Sequence, residues 1–126
     1  MDAIRVSSGS PYERSLGFSR AIRVGDRVLV SGTAPVFPDG GCPVDVGEQT
    51  KRCLVIIGEA LTQAGAGLSD VVRWRAYLTD PQDSEAVGSV TAEVFKGAPP
   101  AATMVVVAAL LDPRWKVEIE AEAIVG

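Results

Sequence analysis

Apolar and polar positions follow two different periods along this chain, and the switches between them mark the elements. The segment "AIRVGDRVLVSGTAP" alternates on both sides of a Gly-Asp pair, with Val28 and Val30 on one face. That pattern predicts a β-hairpin. After the loop "FPDGGCP", Asp45 stands ready to cap a helix. Val46, Thr50, Cys53, Leu54, Ile57, Leu61 and Ala64 then recur at helical spacing until Gly65 stops it. "DVVRWRAYLTD" returns to period two, which sets Val72, Trp74, Ala76 and Leu78 on one face and Val71, Arg73, Arg75 and Tyr77 on the other.

"PQDSEAVGSVTAEVFKG" predicts a second helix from Pro81, carrying Ala86, Val90 and Val94 inward. Gly88 inside it costs about 1 kcal/mol relative to Ala, so a close backbone approach is expected there. Two strands follow, Thr103–Ala109 and Trp115–Val125, separated by "LLDPR". The expected fold is therefore α+β, ordered β-β-α-β-α-β-β, with a mixed sheet and both helices on one face. The other sheet face must meet something else, and with two helices available a further copy of the chain is the simplest cover.

Composition narrows the chemistry. At 126 residues, with 47% apolar residues spread along the chain, one domain with a substantial core is expected. No apolar run approaches a membrane span, and "MDAIRVSSGS" lacks the pattern of a secretory signal, so a cytoplasmic location and no membrane partner are expected. A net charge of −4 argues against nucleic acid as the main partner, because phosphate binding draws on clustered Lys and Arg. The chain holds no histidine, which removes Ser-His-Asp triads, Cys-His pairs and His-bearing zinc sites. Cys42 and Cys53 lack a Cys-x-x-Cys spacing, so neither a metal nor a redox pair is expected. Cys53 falls on the helix as a small core residue. Cys42 falls in an exposed loop with no evident basic neighbour.

What chemistry remains lies in "KVEIEAEA". In an extended strand Lys116, Glu118, Glu120 and Glu122 share one face, and Val117, Ile119, Ala121 and Ala123 share the other. Paired carboxylates can act as acid and base in hydrolysis. The same face also fits a charged surface turned to solvent, or to an interface. Neither "DGG" nor "SG" has a phosphate-loop or dinucleotide spacing. In "SGTAP", Gly32 leaves a backbone N–H accessible to a small anion.

Several stretches together resemble one family: "VSGTAP" after a strand, "EQTKRCLVIIGEALTQAGAGLSDVVRWRAYLTD", "PPAATMVVVAAL" and the closing "KVEIEAEA". They are similar to the RidA (YjgF/UK114, endoribonuclease L-PSP) family from about Phe18 to Ile124. The resemblance implies a chorismate-mutase-like α+β fold, assembled as a homotrimer with small-molecule pockets at the subunit interfaces. In deaminating members it also implies hydrolysis of enamines and imines derived from amino acids, with no metal and no organic cofactor. There an arginine clamps the substrate carboxylate and a glutamate positions water.

Carried over position by position, the resemblance places the water-positioning glutamate at Glu118, and backbone contacts at Gly32 and Met104. The family's Pro-Ala-Arg-Ser/Thr appears here as Pro100-Ala101-Ala102-Thr103, so the clamping arginine is Ala102. The family's tyrosine falls on Phe18, and its helical asparagine on Gly88. Arg20, Tyr77 and Thr103 complete the expected ligand-binding set. A bidentate clamp combines two charge-assisted hydrogen bonds of about 1.5–3 kcal/mol each, so its loss weakens carboxylate binding at least tenfold. Ordinary imine deamination is therefore not expected; ligand binding, or a reaction on a less acidic substrate, is. The alternative is a hydrolase or deaminase in which Glu118 works with Arg20, Arg75 or Glu120. Ribonuclease activity, reported for some family members, fits worst with the acidic balance and absent histidines.

Overall fold

The computed structural model describes residues 2–126. A six-stranded sheet runs in the order β1 (Ala3–Val6), β2 (Ala21–Val24), β3 (Arg27–Thr33), β6 (Val117–Ile124), β4 (Val71–Leu78), β5 (Ala101–Val106). Every neighbouring pair is antiparallel except β4–β5, which is parallel. The sheet is thus mixed, with α2 (Val46–Gln63) and α3 (Ser84–Val94) between the strands they were expected to link.

Helix α2 forms as its periodicity predicts. The Asp45 carboxylate caps it by accepting from the Glu48 N–H at 2.9 Å, and Gly65 ends it in the left-handed region at φ +80°. All seven residues assigned inward are buried, and they pack on Val28, Val30, Val117, Ile119, Ala121 and Ala123 of β3 and β6.

Gln49, on the same helix face, is fully buried too. Its amide donates to the carbonyls of Pro43 and Arg114 at 2.7 and 2.9 Å, and accepts from the Lys116 N–H at 2.8 Å. One side chain therefore ties the loop before α2 to the entry of β6, satisfying polar groups that burial would otherwise penalise.

Four expectations need correction. First, β1 and a short helix α1 (Pro11–Leu16) precede the hairpin. Ser10 caps α1, Pro11 opens it and Gly17 closes it at φ +78°. Second, the alternation of β4 breaks at its start: Val71 is 3% exposed and Val72 42%, the reverse of a regular strand continued from Trp74. The β4–β6 register shifts between Val71 and Arg73, and a bulge of this kind flips the faces on one side of it.

Third, the inward stripe of α3 is Val87, Thr91 and Phe95, with Val90 at its margin; Ala86 and Val94 are exposed. A threonine can sit inward because its hydroxyl donates to the Gly88 carbonyl at 3.1 Å. Fourth, β5 stops at Val106, where the Val107 N–H closes the ladder on the Leu78 carbonyl and β4 itself ends.

Arg5, Ile22, Leu29, Arg73, Arg75, Tyr77, Glu118, Glu120 and Glu122 lie on the sheet face opposite α2 and α3. Among the described residues no layer covers most of this face, and Leu29 and Val105 stay 41% exposed. Among the described residues no helix is long and apolar enough to cross a membrane.

Replacing Gln49 by Leu strands the Lys116 N–H and the Arg114 carbonyl, and leaves the Pro43 carbonyl only the Cys42 thiol. The expected loss is about 3 kcal/mol, the cost of leaving buried polar groups unpaired, read as a lower urea midpoint at unchanged slope. An unchanged midpoint would show that water reaches these groups.

Candidate functional site

The residues of interest gather where β3 changes register. Between Val30 and Thr33 the strand gains one residue against β6, so Ser31 and Gly32 form a bulge. Side chains lock it. The Thr33 hydroxyl donates to the Ser31 carbonyl at 2.8 Å, the Ser31 hydroxyl to the Ser19 carbonyl at 2.7 Å, and Arg20 Nη2 to the Gly32 carbonyl at 2.9 Å. A Cβ on Gly32 would stand 2.6 Å from Glu118 Oε2. Glycine here serves a close approach, since the carboxylate occupies the space a side chain would take.

Arg20 is the unusual member. It is only 6% exposed, its guanidinium lies 5.3 Å from the Phe18 ring centre, and its Nε is buried with no partner. Burial lowers its pKa, opposed by Glu13 and Glu118, but a guanidinium stays charged. Glu118 shifts the other way: burial raises its pKa, Arg20 pulls it down, and Glu120 adds repulsion. A buried cation and a partly desolvated carboxyl thus flank Gly32, without an ion pair within 4.0 Å between them.

Phe18, Arg20, Gly32 and Glu118 therefore come together. Tyr77 is in register with Glu118 on β4, but its hydroxyl bonds the Glu120 carboxylate, which raises the phenol pKa. Arg75 Nη1 also lies 3.8 Å from Glu120. The remaining predicted positions stand apart. Ala102 pairs with buried Trp74, and Met104 with buried Ala76, so both point to the helix side of the sheet, away from Glu118. Thr103 pairs with Arg75 and shares the face of Glu118. Gly88 lies on α3, and a Cβ there would meet nothing within 4 Å; among the described residues the expected close approach does not occur.

Some polar groups here escaped sequence reasoning. Between α1 and β1–β3 lies an open depression of about 500 Å³, lined by Arg5, Glu13, Arg14, Phe18, Ile22 and Ser31 among others. Glu13 is buried, accepting from the Ser7 and Ser8 hydroxyls and the Ser8 N–H. Burial raises its pKa, but those donors and Arg20 outweigh burial and hold it below the ordinary value. The signal was the run of serines ahead of "PYER", which has no period. Cys42 also differs from expectation: it is half-buried, with Arg114 near enough to act on it, yet burial dominates and pushes its thiol pKa up. Cys53 is buried, its thiol pushed up strongly by burial, and it donates to the Thr33 carbonyl.

The six-stranded mixed sheet with α2 and α3 on one face defines an α+β protein of the YjgF-like class. The Endoribonuclease L-PSP family profile matches residues 11–125, and the chain belongs to that family, also called YjgF/RidA/UK114. A crystal structure of a Mycobacterium tuberculosis member of the YjgF/YER057c/UK114 family is 45% identical, with a TM-score of 0.91 over 98% of this chain and 100% of that one. An uncharacterised Streptomyces coelicolor protein is 39% identical across 97% of this chain and 92% of its own length. The 2-iminobutanoate/2-iminopropanoate deaminase of Mus musculus is 36% identical across 86% and 82% respectively.

The raised Glu118 pKa has a measurable sign. The folded state binds this proton more tightly than the unfolded chain, so Glu118 costs stability as pH rises from the ordinary value of 4.5 through the folded pKa. Glu118→Gln should gain in Tm relative to the parent across that window and show no pH-dependent difference below it. Parallel Tm curves would show that burial does not control this carboxyl. Gly32→Ala should fold but displace the Glu118 carboxylate, seen as a Glu118 pKa moved toward 4.5 in a carboxyl-directed NMR titration. An unmoved pKa would mean that the backbone yields instead.

Proposed function

We infer that this chain acts as a single RidA-like domain in a cytoplasmic homotrimer with small-molecule pockets at the subunit interfaces. In this reading it is not an ordinary deaminase of 2-imino or enamine acids: it binds a small ligand or carries out a diverged reaction, without a cofactor. One observation carries this, the alanine at position 102. The family resemblance implies an arginine at this position in deaminating members, and the methyl group of Ala102 cannot hold a carboxylate.

Nothing within the protomer supports a direct replacement. Ala102 points to the helix side of the sheet, whereas Arg75 is spent on Glu120 across the other face, and Arg20 is turned onto the Gly32 carbonyl. The exposed apolar residues on the uncovered sheet face support assembly, because such an area in water is unfavourable. A second reading has one observation in its favour: Arg20 and Glu118 act on each other electrostatically beside Gly32, a pairing a hydrolase could use.

Ammonia release from 2-iminopropionate separates the two. No turnover above the uncatalysed rate is expected. Turnover comparable to that of an arginine-bearing relative, abolished by Glu118→Gln with the trimer intact by sedimentation, would replace the first reading by the second.

A further inference from the structure

We propose that Arg5 and Arg14 form an anion-recognition subsite against the Phe18–Ile22 wall, taking a small organic anion with an apolar body, a phosphate monoester in preference to a carboxylate. The proposal rests on the interface-pocket reading above and supplies a cation for the ligand that Ala102 does not.

Both arginines line the depression between α1 and the β1–β3 end of the sheet. Among the described residues neither has a carboxylate oxygen within 4.0 Å; the ion pairs present involve Arg27, Lys51, Arg75, Lys96 and Arg114 instead. Among the described residues neither side chain donates a hydrogen bond, unlike Arg20, Arg23, Arg52 and Arg114.

Glu13, the one acid in the wall, is already occupied. Its oxygens accept from both serines, and it is 8% exposed, so its charge faces inward. Even counting it, the wall keeps an excess of positive charge in a chain whose net charge is −4. Two guanidinium forks suit a doubly charged, multiply accepting head better than a single carboxylate. Phe18 and Ile22, both half-buried, offer the apolar surface that distinguishes an organic anion from an inorganic one.

The test is an NMR titration of the labelled full chain with phenyl phosphate, benzoate, inorganic phosphate and benzyl alcohol. Phenyl phosphate should bind tightest, moving the amides of Phe18, Ile22 and Ser31. Benzoate and inorganic phosphate should bind more weakly, and benzyl alcohol not at all. The double variant Arg5→Gln/Arg14→Gln should lose phenyl phosphate affinity by roughly tenfold or more, since charge-assisted hydrogen bonds are removed. Both positions are exposed, so the fold should persist, checked by an unchanged spectrum elsewhere. Lys96→Gln, an exposed change after α3, should bind as the parent does.

Unchanged affinity in the double variant would overturn the proposal. So would equal binding of benzyl alcohol, inorganic phosphate as tight as phenyl phosphate, or no binding of any probe. Phenyl phosphate binding alongside robust imine turnover would leave this subsite standing and discard only the non-deaminase reading.

Discussion

The extra residue in β3 opposite β6 is the constraint on which the rest of the candidate site hangs. Without it, Gly32 would not present its bare α-carbon to Glu118, and the Gly32 carbonyl would not turn to meet Arg20. Three side-chain hydrogen bonds, from Thr33, Ser31 and Arg20, close around two backbone residues. Cys53 adds a fourth from α2 by donating to the Thr33 carbonyl. The main helix, the sheet centre and the segment after α1 therefore converge on one irregularity. A bulge costs ladder hydrogen bonds, and proteins keep one where it aims a group that a regular strand would misdirect.

Charge is arranged around this point in layers. Arg20 is buried against Phe18, Glu118 is partly desolvated across Gly32, and Glu120 is bound to Tyr77 and Arg75. Moving outward, Glu13 is absorbed by serines, while Arg5 and Arg14 have no ion pair among the described residues. The balance shifts from a compensated interior to a cationic rim. Ala102 stands at the β5 edge of the sheet, and the cationic rim lies at the opposite end, beside β1 and β2.

How much of this was legible follows from the reach of each signal. The apolar stripe of helix α2 was readable, Gln49 and Ala60 being the buried residues it left out, because an 18-residue segment averages out local exceptions. The β6 alternation was readable for the same reason, every second residue from Val117 to Ala123 being buried. The failures were local. Val71 and Val72 exchanged faces because a register shift is a property of two strands, and one strand's sequence does not contain it. The stripe of α3 was read one residue early, since Thr91 looks polar until its hydroxyl finds the Gly88 carbonyl. Four-residue β1 and six-residue α1 are too short for any period to stand out, although Ser10, Pro11 and Gly17 mark the ends of α1. Glu118 and Gly32 were singled out one at a time, while their contact, and the Arg20 bond to the Gly32 carbonyl, belong to the bulge.

The place of β6 in the sheet has a consequence for how the molecule comes together. The latest strand in the sequence is central in space, hydrogen-bonded to β3 on one side and β4 on the other. Until it docks, β1–β2–β3 and β4–β5 are separate partial sheets, each with an open edge where the middle should be. Synthesis from the N-terminus thus yields two unfinished halves with α2 waiting over a gap, and the closing step is a long-range pairing of the slow kind. The glutamate that arrives with this strand meets Gly32 in the same event that joins the halves, so completion of the fold and assembly of the candidate site are one step.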